Sequence, residues 1–274
     1  MREAPIGIFD SGYGGLTVLK EISRVLPEYD YIYLGDNARN PYGTRSFEAV
    51  YQFTLECVNK LFSMGCQLVI LACNTASSKA LRTIQQKDLP SIDPNRRVLG
   101  VIRPTAEVIG NYSKTRYVGV LGTPGTIKSK SYVLEIAKFY PDLHVYQQAC
   151  PMWVPLIENN EHLSSGADYF VQKYLDELLY QNANIDTVIL GCTHYPLLLD
   201  KIHQFLPSTI QVISQGAIVA ESLKDYLLRH PEIEERCGKS STFRFLTTDL
   251  ADTFNSNASI FFGKEVTSEI IIVA

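Results

Sequence analysis

The sequence predicts an α/β fold of two similar doubly wound parallel-sheet lobes related by a pseudo-twofold, with a functional site in the cleft between them. Three observations carry this. Short aliphatic runs alternate with amphipathic helical patterns, the signature of parallel sheets covered by helices on both faces. Two of those runs, Leu68-Val69-Ile70-Leu71-Ala72-Cys73-Asn74-Thr75 and Thr187-Val188-Ile189-Leu190-Gly191-Cys192-Thr193-His194, end alike on a cysteine, 119 residues apart. Their openings rhyme as well. Ile6-Gly7-Ile8-Phe9-Asp10-Ser11-Gly12 precedes Cys73 by 63 residues from Asp10, and Val118-Gly119-Val120-Leu121-Gly122-Thr123-Pro124 precedes Cys192 by 70 from Gly122. Each opening runs through a glycine turn into a helix, which reads as a duplicated unit. A chance likeness of glycine-rich strand ends is the alternative.

In chain order the strands are expected at 6–9, 31–34, 68–72, 98–102, 117–121, 187–191 and 210–213, because these stretches are aliphatic and bounded by turn residues. Helices are expected at 16–26, 46–64, 76–86, 104–111, 127–139, 165–182, 196–205 and 217–229 from their apolar spacing. Lys87 to Pro94 carries two prolines and no period, so it reads as a loop. A boundary just after it divides the chain into a first lobe of residues 1–99 plus 207–274 and a second lobe of residues 100–206. Ile270 to Ala274 reads as a closing edge segment or an interface patch.

Hydrophobic residues make up 46% of the 274 and charged residues 20%, enough apolar material for a sizeable core. The net charge of −4, with no lysine or arginine block, argues against nucleic acid as a partner. No apolar stretch is long enough to span a bilayer, so no membrane association is expected. Met1-Arg2-Glu3-Ala4-Pro5 lacks the apolar region of a secretory signal, and a cytoplasmic protein is expected. In that compartment the six cysteines, Cys57, Cys66, Cys73, Cys150, Cys192 and Cys237, remain reduced. No Cys-x-x-Cys pair is present. Cys192 and His194 with Cys73 lack an evident fourth ligand, so no metal is expected.

In open α/β sheets, ligands bind at the carboxyl ends of strands. Cys73 and Cys192 both stand there, where a strand hands over to a helix whose N-terminus favours thiolate. Asp10 ends a neighbouring strand and His194 follows Cys192 by two residues. The pattern suggests two acid/base couples facing one bound molecule. Each residue also has an ordinary reading: buried thiols for the cysteines, a helix cap for Asp10, Ser11, Thr75 and Thr193, and a satisfied buried imidazole for His194. Cys57, Cys66, Cys150 and Cys237 read as structural.

Asp10-Ser11-Gly12, Pro41-Tyr42-Gly43, Cys73-Asn74-Thr75, Val118 to Thr123 with Thr126-Ile127-Lys128-Ser129, and Gly191-Cys192-Thr193-His194 together resemble glutamate racemases of the aspartate/glutamate racemase superfamily. The order and spacing match over residues 6–255. The histidine after Cys-Thr favours the glutamate branch. Asn37, Asn40 and Arg103 fill places that vary among relatives.

The resemblance implies inversion at the α-carbon of glutamate without a cofactor, Cys73 and Cys192 acting on opposite faces with Asp10 and His194 beside them. It implies that Ser11, Asn74, Thr75, Thr123 and Thr193 hold the α-amino and α-carboxylate groups. The backbone of Tyr42 and Gly43, after Pro41, holds the side-chain carboxylate, and Glu158 stands behind His194. It further implies a homodimer and a role in supplying D-glutamate for peptidoglycan. Competing functions are a racemase for another amino acid such as aspartate, a cysteine acyl-transferase or amidase, and a two-lobed amino-acid binding protein. The amidase leaves the second strand-end cysteine without a task.

Overall fold

A computed structural model describes residues 4–273. Two parallel sheets form the frame. The first has six strands in the order β10-β9-β2-β1-β3-β4 and the second four in the order β6-β5-β7-β8. The strands are β1 (Ile6–Asp10), β2 (Tyr31–Gly35), β3 (Leu68–Leu71), β4 (Arg97–Gly100), β5 (Tyr117–Gly122), β6 (His144–Ala149), β7 (Thr187–Gly191), β8 (Gln211–Ile213), β9 (Phe243–Thr247) and β10 (Ser268–Ile270). The order β2-β1-β3-β4 in one sheet is matched by β6-β5-β7-β8 in the other, so the rhyme in the sequence is a duplication of topology. In both sheets the chain reverses its winding between the first and third strands of the unit, β1 and β3 or β5 and β7. Ligand crevices open at such switch points.

β1, β3 and β7 are buried along their whole length. Covered on both faces, they consist of aliphatic runs with no alternation. The helix Leu16–Val25 buries Leu16, Val18, Leu19 and Ile22 on one stripe and packs against the helix Gln215–Arg229. One apolar cluster runs through both sheets, joining Ile8 and Ile70 to Val188 and Leu190.

Some expected boundaries move. Gln211–Ile213 pairs with β7, Ile213 lying level with Ile189, so the second sheet extends past the division expected at 206/207. The return to the first sheet follows through the helix Gln215–Arg229, and β9 then pairs with β2. Residues 84–92, expected to be partly loop, form a π-helical turn at Ile84–Asp88 and a helical turn at Leu89–Ile92. Pro90 falls at the start of that last turn, where its missing N–H costs no bond. β10 and Ile271 close the edge of the first sheet, Ile271 donating to Thr247, whereas Ala274 lies outside the described residues.

Candidate active site

Strand register builds the site. Phe9 lies level with Leu71, and Gly122 lies level with Gly191. Two residues beyond Phe9 and Leu71 stand Ser11 and Cys73, and one beyond the glycines stand Thr123 and Cys192. Each thiol therefore emerges beside a hydroxyl at the carboxyl edge of its own sheet. A small cavity of about 70 Å³ lies between the sheets, and Cys73 and Cys192 both line it. Ser11, Pro41, Tyr42, Gly43, Asn74, Thr75, Thr123, Thr193 and His194 line it too. Asp10 and Glu158 stand behind this lining.

Cys73 is the N-cap of the helix Asn74–Lys79. Its Sγ accepts from the Ala76 N–H at 3.4 Å and lies 3.6 Å from Ser11 Oγ. Burial pushes the Cys73 thiol up to about 12, and the nearby Asp10 charge acts in the same direction. The Ala76 N–H and Ser11 favour the thiolate but do not prevail. The lowered value expected from a helix N-terminus is therefore not found at Cys73, because loss of water outweighs one amide.

Asp10 is fully buried, and burial raises its carboxyl above the usual range against the opposing His194 charge. Oδ1 accepts from the Gly12 N–H at 2.9 Å and Oδ2 from Thr193 Oγ1 at 3.3 Å. The side chain thus reaches across to the residue following Cys192, and its influence on Cys73 is through charge. The following helix, Leu16–Val25, has Gly15 as its N-cap with no side-chain cap bond, and the Gly15 N–H also favours the Asp10 carboxylate.

On the other side, His194 Nδ1 lies 4.0 Å from Cys192 Sγ, at the outer edge of sulfur hydrogen bonding, and Nε2 lies 3.0 Å from Glu158 Oε1. Burial disfavours the imidazolium, yet the bonds to Cys192 and Glu158 prevail and lift His194 to about 10. Glu158 is held low despite its burial by His194 and by Asn40, whose Nδ2 donates to Oε1 at 2.7 Å. Gly14 has no room for a side chain. A Cβ there would stand 2.4 Å from His194 Nδ1 and 2.3 Å from Thr193 Oγ1.

Hydroxyls join the two sheets across the cavity. Thr75 Oγ1 and Thr123 Oγ1 are 3.0 Å apart, and Thr126 Oγ1 lies 3.3 and 3.1 Å from them. The Pro41–Gly43 turn is fixed from behind, since Asp36 accepts from Arg39 and from the Tyr42 hydroxyl. A Cβ on Gly43 would come within 2.9 Å of Thr123, so glycine permits this close approach.

Sequence reasoning placed Asn74 in the site but missed the residues that hold it and part of the lining. Asn74 turns its amide away from the thiols: Tyr132 donates to its Oδ1 at 2.6 Å, and its Nδ2 donates to Gln215 at 2.8 Å. Gln215 in turn donates to the Tyr132 hydroxyl at 2.7 Å. Cys150, read as structural, lines the cavity, as do Asn40 and Thr44. No local signal marks Tyr132, Gln215 or Asn40, since their partners lie far along the chain. Of the two other variable positions, Arg103 is exposed and pairs with Glu107, and Asn37 accepts from Thr247.

A duplicated 2-1-3-4 sheet with a thiol at each switch point defines a family. Residues 6–223 match the one described as Asp/Glu/Hydantoin racemase, and the chain belongs to it. Within that family it is similar to glutamate racemases, as its motifs suggested. The glutamate racemase of Sulfurihydrogenibium is 40% identical over 268 residues, covering 97% of this chain and 96% of the relative. The solved glutamate racemase isoform of Bacillus anthracis superposes with a TM-score of 0.90 at 34% identity, covering 100% of this chain and 99% of that one. The Francisella tularensis glutamate racemase, solved in complex with D-glutamate, gives 0.88 at 32% identity over 100% and 99% of the two chains.

Proposed function

We propose that this chain is a glutamate racemase that inverts the α-carbon by proton transfer between Cys73 and Cys192, without a cofactor. The observation that carries the reading is a single small cavity lined by a thiol from the equivalent strand end of each sheet. L-Glutamate lies between them with its α-hydrogen toward Cys192. His194 Nδ1 carries the proton given up by Cys192, and the Cys192 thiolate removes the α-proton. The Cys73 thiol returns a proton to the opposite face, leaving D-glutamate and a Cys73 thiolate. The reverse reaction uses the thiols in the opposite order.

The α-proton of an amino acid is very weakly acidic, so developing negative charge must meet preorganised donors in a water-poor site. Ser11, Thr75, Thr123 and Thr193, with Asn74 acting from the first turn of its helix, hold the α-amino and α-carboxylate groups. The Tyr42 and Gly43 amides, set by Pro41, hold the distal carboxylate. Asp10 acts on the Cys73 side and Glu158 fixes His194. The working lobes are residues 1–99 with the chain after β8, and residues 100–213. The D-glutamate would serve peptidoglycan synthesis in a cytoplasmic homodimer. Among the described residues no helix is long and apolar enough to cross a membrane.

Incubation with L-glutamate in deuterated water tests the reading. Loss of optical activity with deuterium appearing at the α-carbon is expected. Binding without exchange would overturn it.

A further inference from the structure

Asn40 occupies the turn that precedes Pro41, whereas Glu158 ends the helix Trp153–Glu158, 118 residues further on. Their bond therefore crosses from the turn beside the first sheet to the element that backs His194. Glu158 Oε1 receives two donors, Asn40 Nδ2 at 2.7 Å and His194 Nε2 at 3.0 Å. A carboxylate can only accept, so both neighbours must present N–H groups. This fixes the Asn40 amide with its nitrogen inward and His194 with a proton on Nε2. Nδ1 then faces Cys192 Sγ, 4.0 Å away, as the nitrogen that exchanges a proton with it.

The assembly is largely closed to water. His194 is 4% exposed and Glu158 19%. Gly12 borders the bond, and a Cβ there would lie 3.4 Å from Asn40 Nδ2 and 3.6 Å from Glu158 Oε1. Phe261 packs its ring edge-on to His194 at 5.2 Å. The titratable groups facing His194 are Cys192, Glu158 and, through Thr193, Asp10. Among these, Asn40 is the neutral donor that fixes which way the carboxylate points.

We propose that Asn40 is a positioning residue for proton transfer at Cys192: its amide crosses the cleft and holds Glu158 so that His194 keeps Nε2–H on the carboxylate and Nδ1 turned toward the sulfur with which it exchanges a proton. The turn that carries the expected glutamate-binding amides of Tyr42 and Gly43 thereby also orders the acid/base group of the opposite lobe. A turn displaced from the cleft would leave Glu158 without this restraint, so turn closure and readiness of the Cys192 side are coupled. The inference rests on the racemase reading above.

The test measures racemisation in both directions, across pH, for wild type, Asn40→Ala, Asn40→Asp, Glu158→Ala and the double variant Asn40→Ala/Glu158→Ala. Asn40→Ala should lower kcat about tenfold with KM changed less than about twofold, the scale of a hydrogen bond to a charged group. The fall in kcat/KM must be equal for the two enantiomers, whose equilibrium constant is one. The α-deuterium isotope effect should rise with L-glutamate and not with D-glutamate. The loss should vanish on the Glu158→Ala background, where the group positioned is gone. Asn40→Asp keeps the shape but places a second carboxylate against Glu158, so its activity should decline more steeply with rising pH than that of wild type. Melting temperatures verify that every variant is folded. Wild-type behaviour in Asn40→Ala, a loss confined to KM, or additivity with Glu158→Ala would overturn the inference. Wild type that fails to racemise glutamate would overturn the racemase reading itself.

Discussion

Cys73 and Cys192 stand at equivalent places in two sheets of the same strand order, yet their surroundings differ. Cys73 is capped by an amide and a hydroxyl, with no imidazole bonded to it, and burial holds its proton on, at about 12. Cys192 faces an imidazole that is backed in series by a carboxylate and an amide. Duplication of the fold determines where the thiols emerge; the residues around each determine which acid/base partners it has. In the proposed mechanism Cys73 is the proton donor, and Cys192 with its imidazole the acceptor, when the substrate is L-glutamate.

The largest effect should come from removing either thiol. Cys73→Ser and Cys192→Ser should each lower racemisation by about 10³-fold or more, because a hydroxyl is a far weaker acid than a thiol and, in the proposed mechanism, each thiol alone serves its face. Each variant should still eliminate from a glutamate analogue with a β leaving group when its remaining thiol faces the α-proton, since elimination needs one abstraction. Near-normal racemisation by either variant, measured by circular dichroism, would break the two-sided picture.

Next in size is the asymmetry of the helpers. Asp10→Asn and His194→Asn should each slow turnover about 10- to 100-fold. Haldane's constraint makes their losses in kcat/KM equal for both enantiomers. The difference must appear in isotope effects, with His194→Asn raising the α-deuterium effect on L-glutamate and Asp10→Asn that on D-glutamate. Because Asp10 also bonds to Thr193 on the Cys192 side, its variant should show the weaker contrast. Identical profiles would make both residues structural.

Much of this was legible from the chain. Fully buried β1, β3 and β7 consist of aliphatic runs, and the cysteines close two of them, so the strand-end placement followed from the pattern. The edge strand β6, His144–Ala149, mixes polar and apolar residues without a period and is only partly covered, so it gave no such run. β9 opens with an exposed Phe243 and Arg244 and was missed for the same reason. Asn40, Tyr132 and Gln215 could not be read locally, because their partners lie 118, 58 and 141 residues away. Cys73 emerged where expected, but its proton affinity depends on water excluded by the whole fold.

A smaller effect concerns pH and stability. His194 ordinarily titrates near 6.5 and is lifted to about 10 in the folded chain. Between those values the native state holds a proton that the unfolded state has released. The resulting stability is complete below about 6.5 and is lost as pH rises through about 10. Cys73, lifted from 9.0 to about 12, acts with the same sign at higher pH. Glu158→Gln removes the negative partner of the imidazolium and should bring His194 down. Urea denaturation at about pH 7 and about pH 9.5 should then show a shallower decline than wild type. An unchanged slope would mean that Cys192 alone sustains the charged imidazole.

The smallest effect tests what holds the Cys73 side in place of an acid/base chain. Tyr132, from the second lobe, donates to Asn74 Oδ1 at 2.6 Å and accepts from Gln215 Nε2 at 2.7 Å, all in the buried interior. Asn74 follows Cys73 directly, so this network anchors the turn that presents the thiol. Tyr132→Phe removes one hydroxyl and leaves the Asn74 oxygen without that donor, at a cost of about 1–3 kcal/mol. Gln215 retains Val101 and Thr105 as acceptors, which limits the damage. Cys73 also keeps its Ala76 amide, so kcat should fall only about two- to fivefold, consistent with a net hydrogen-bond loss of about 1 kcal/mol. The isotope effect should rise with D-glutamate, whose proton Cys73 takes in the proposed mechanism, and remain unchanged with L-glutamate. Equal isotope effects in both directions would show that the network supports the two lobes alike rather than the Cys73 turn. Unchanged denaturation would show that the 2.8 Å bond between Asn74 and Gln215 is sufficient to hold it.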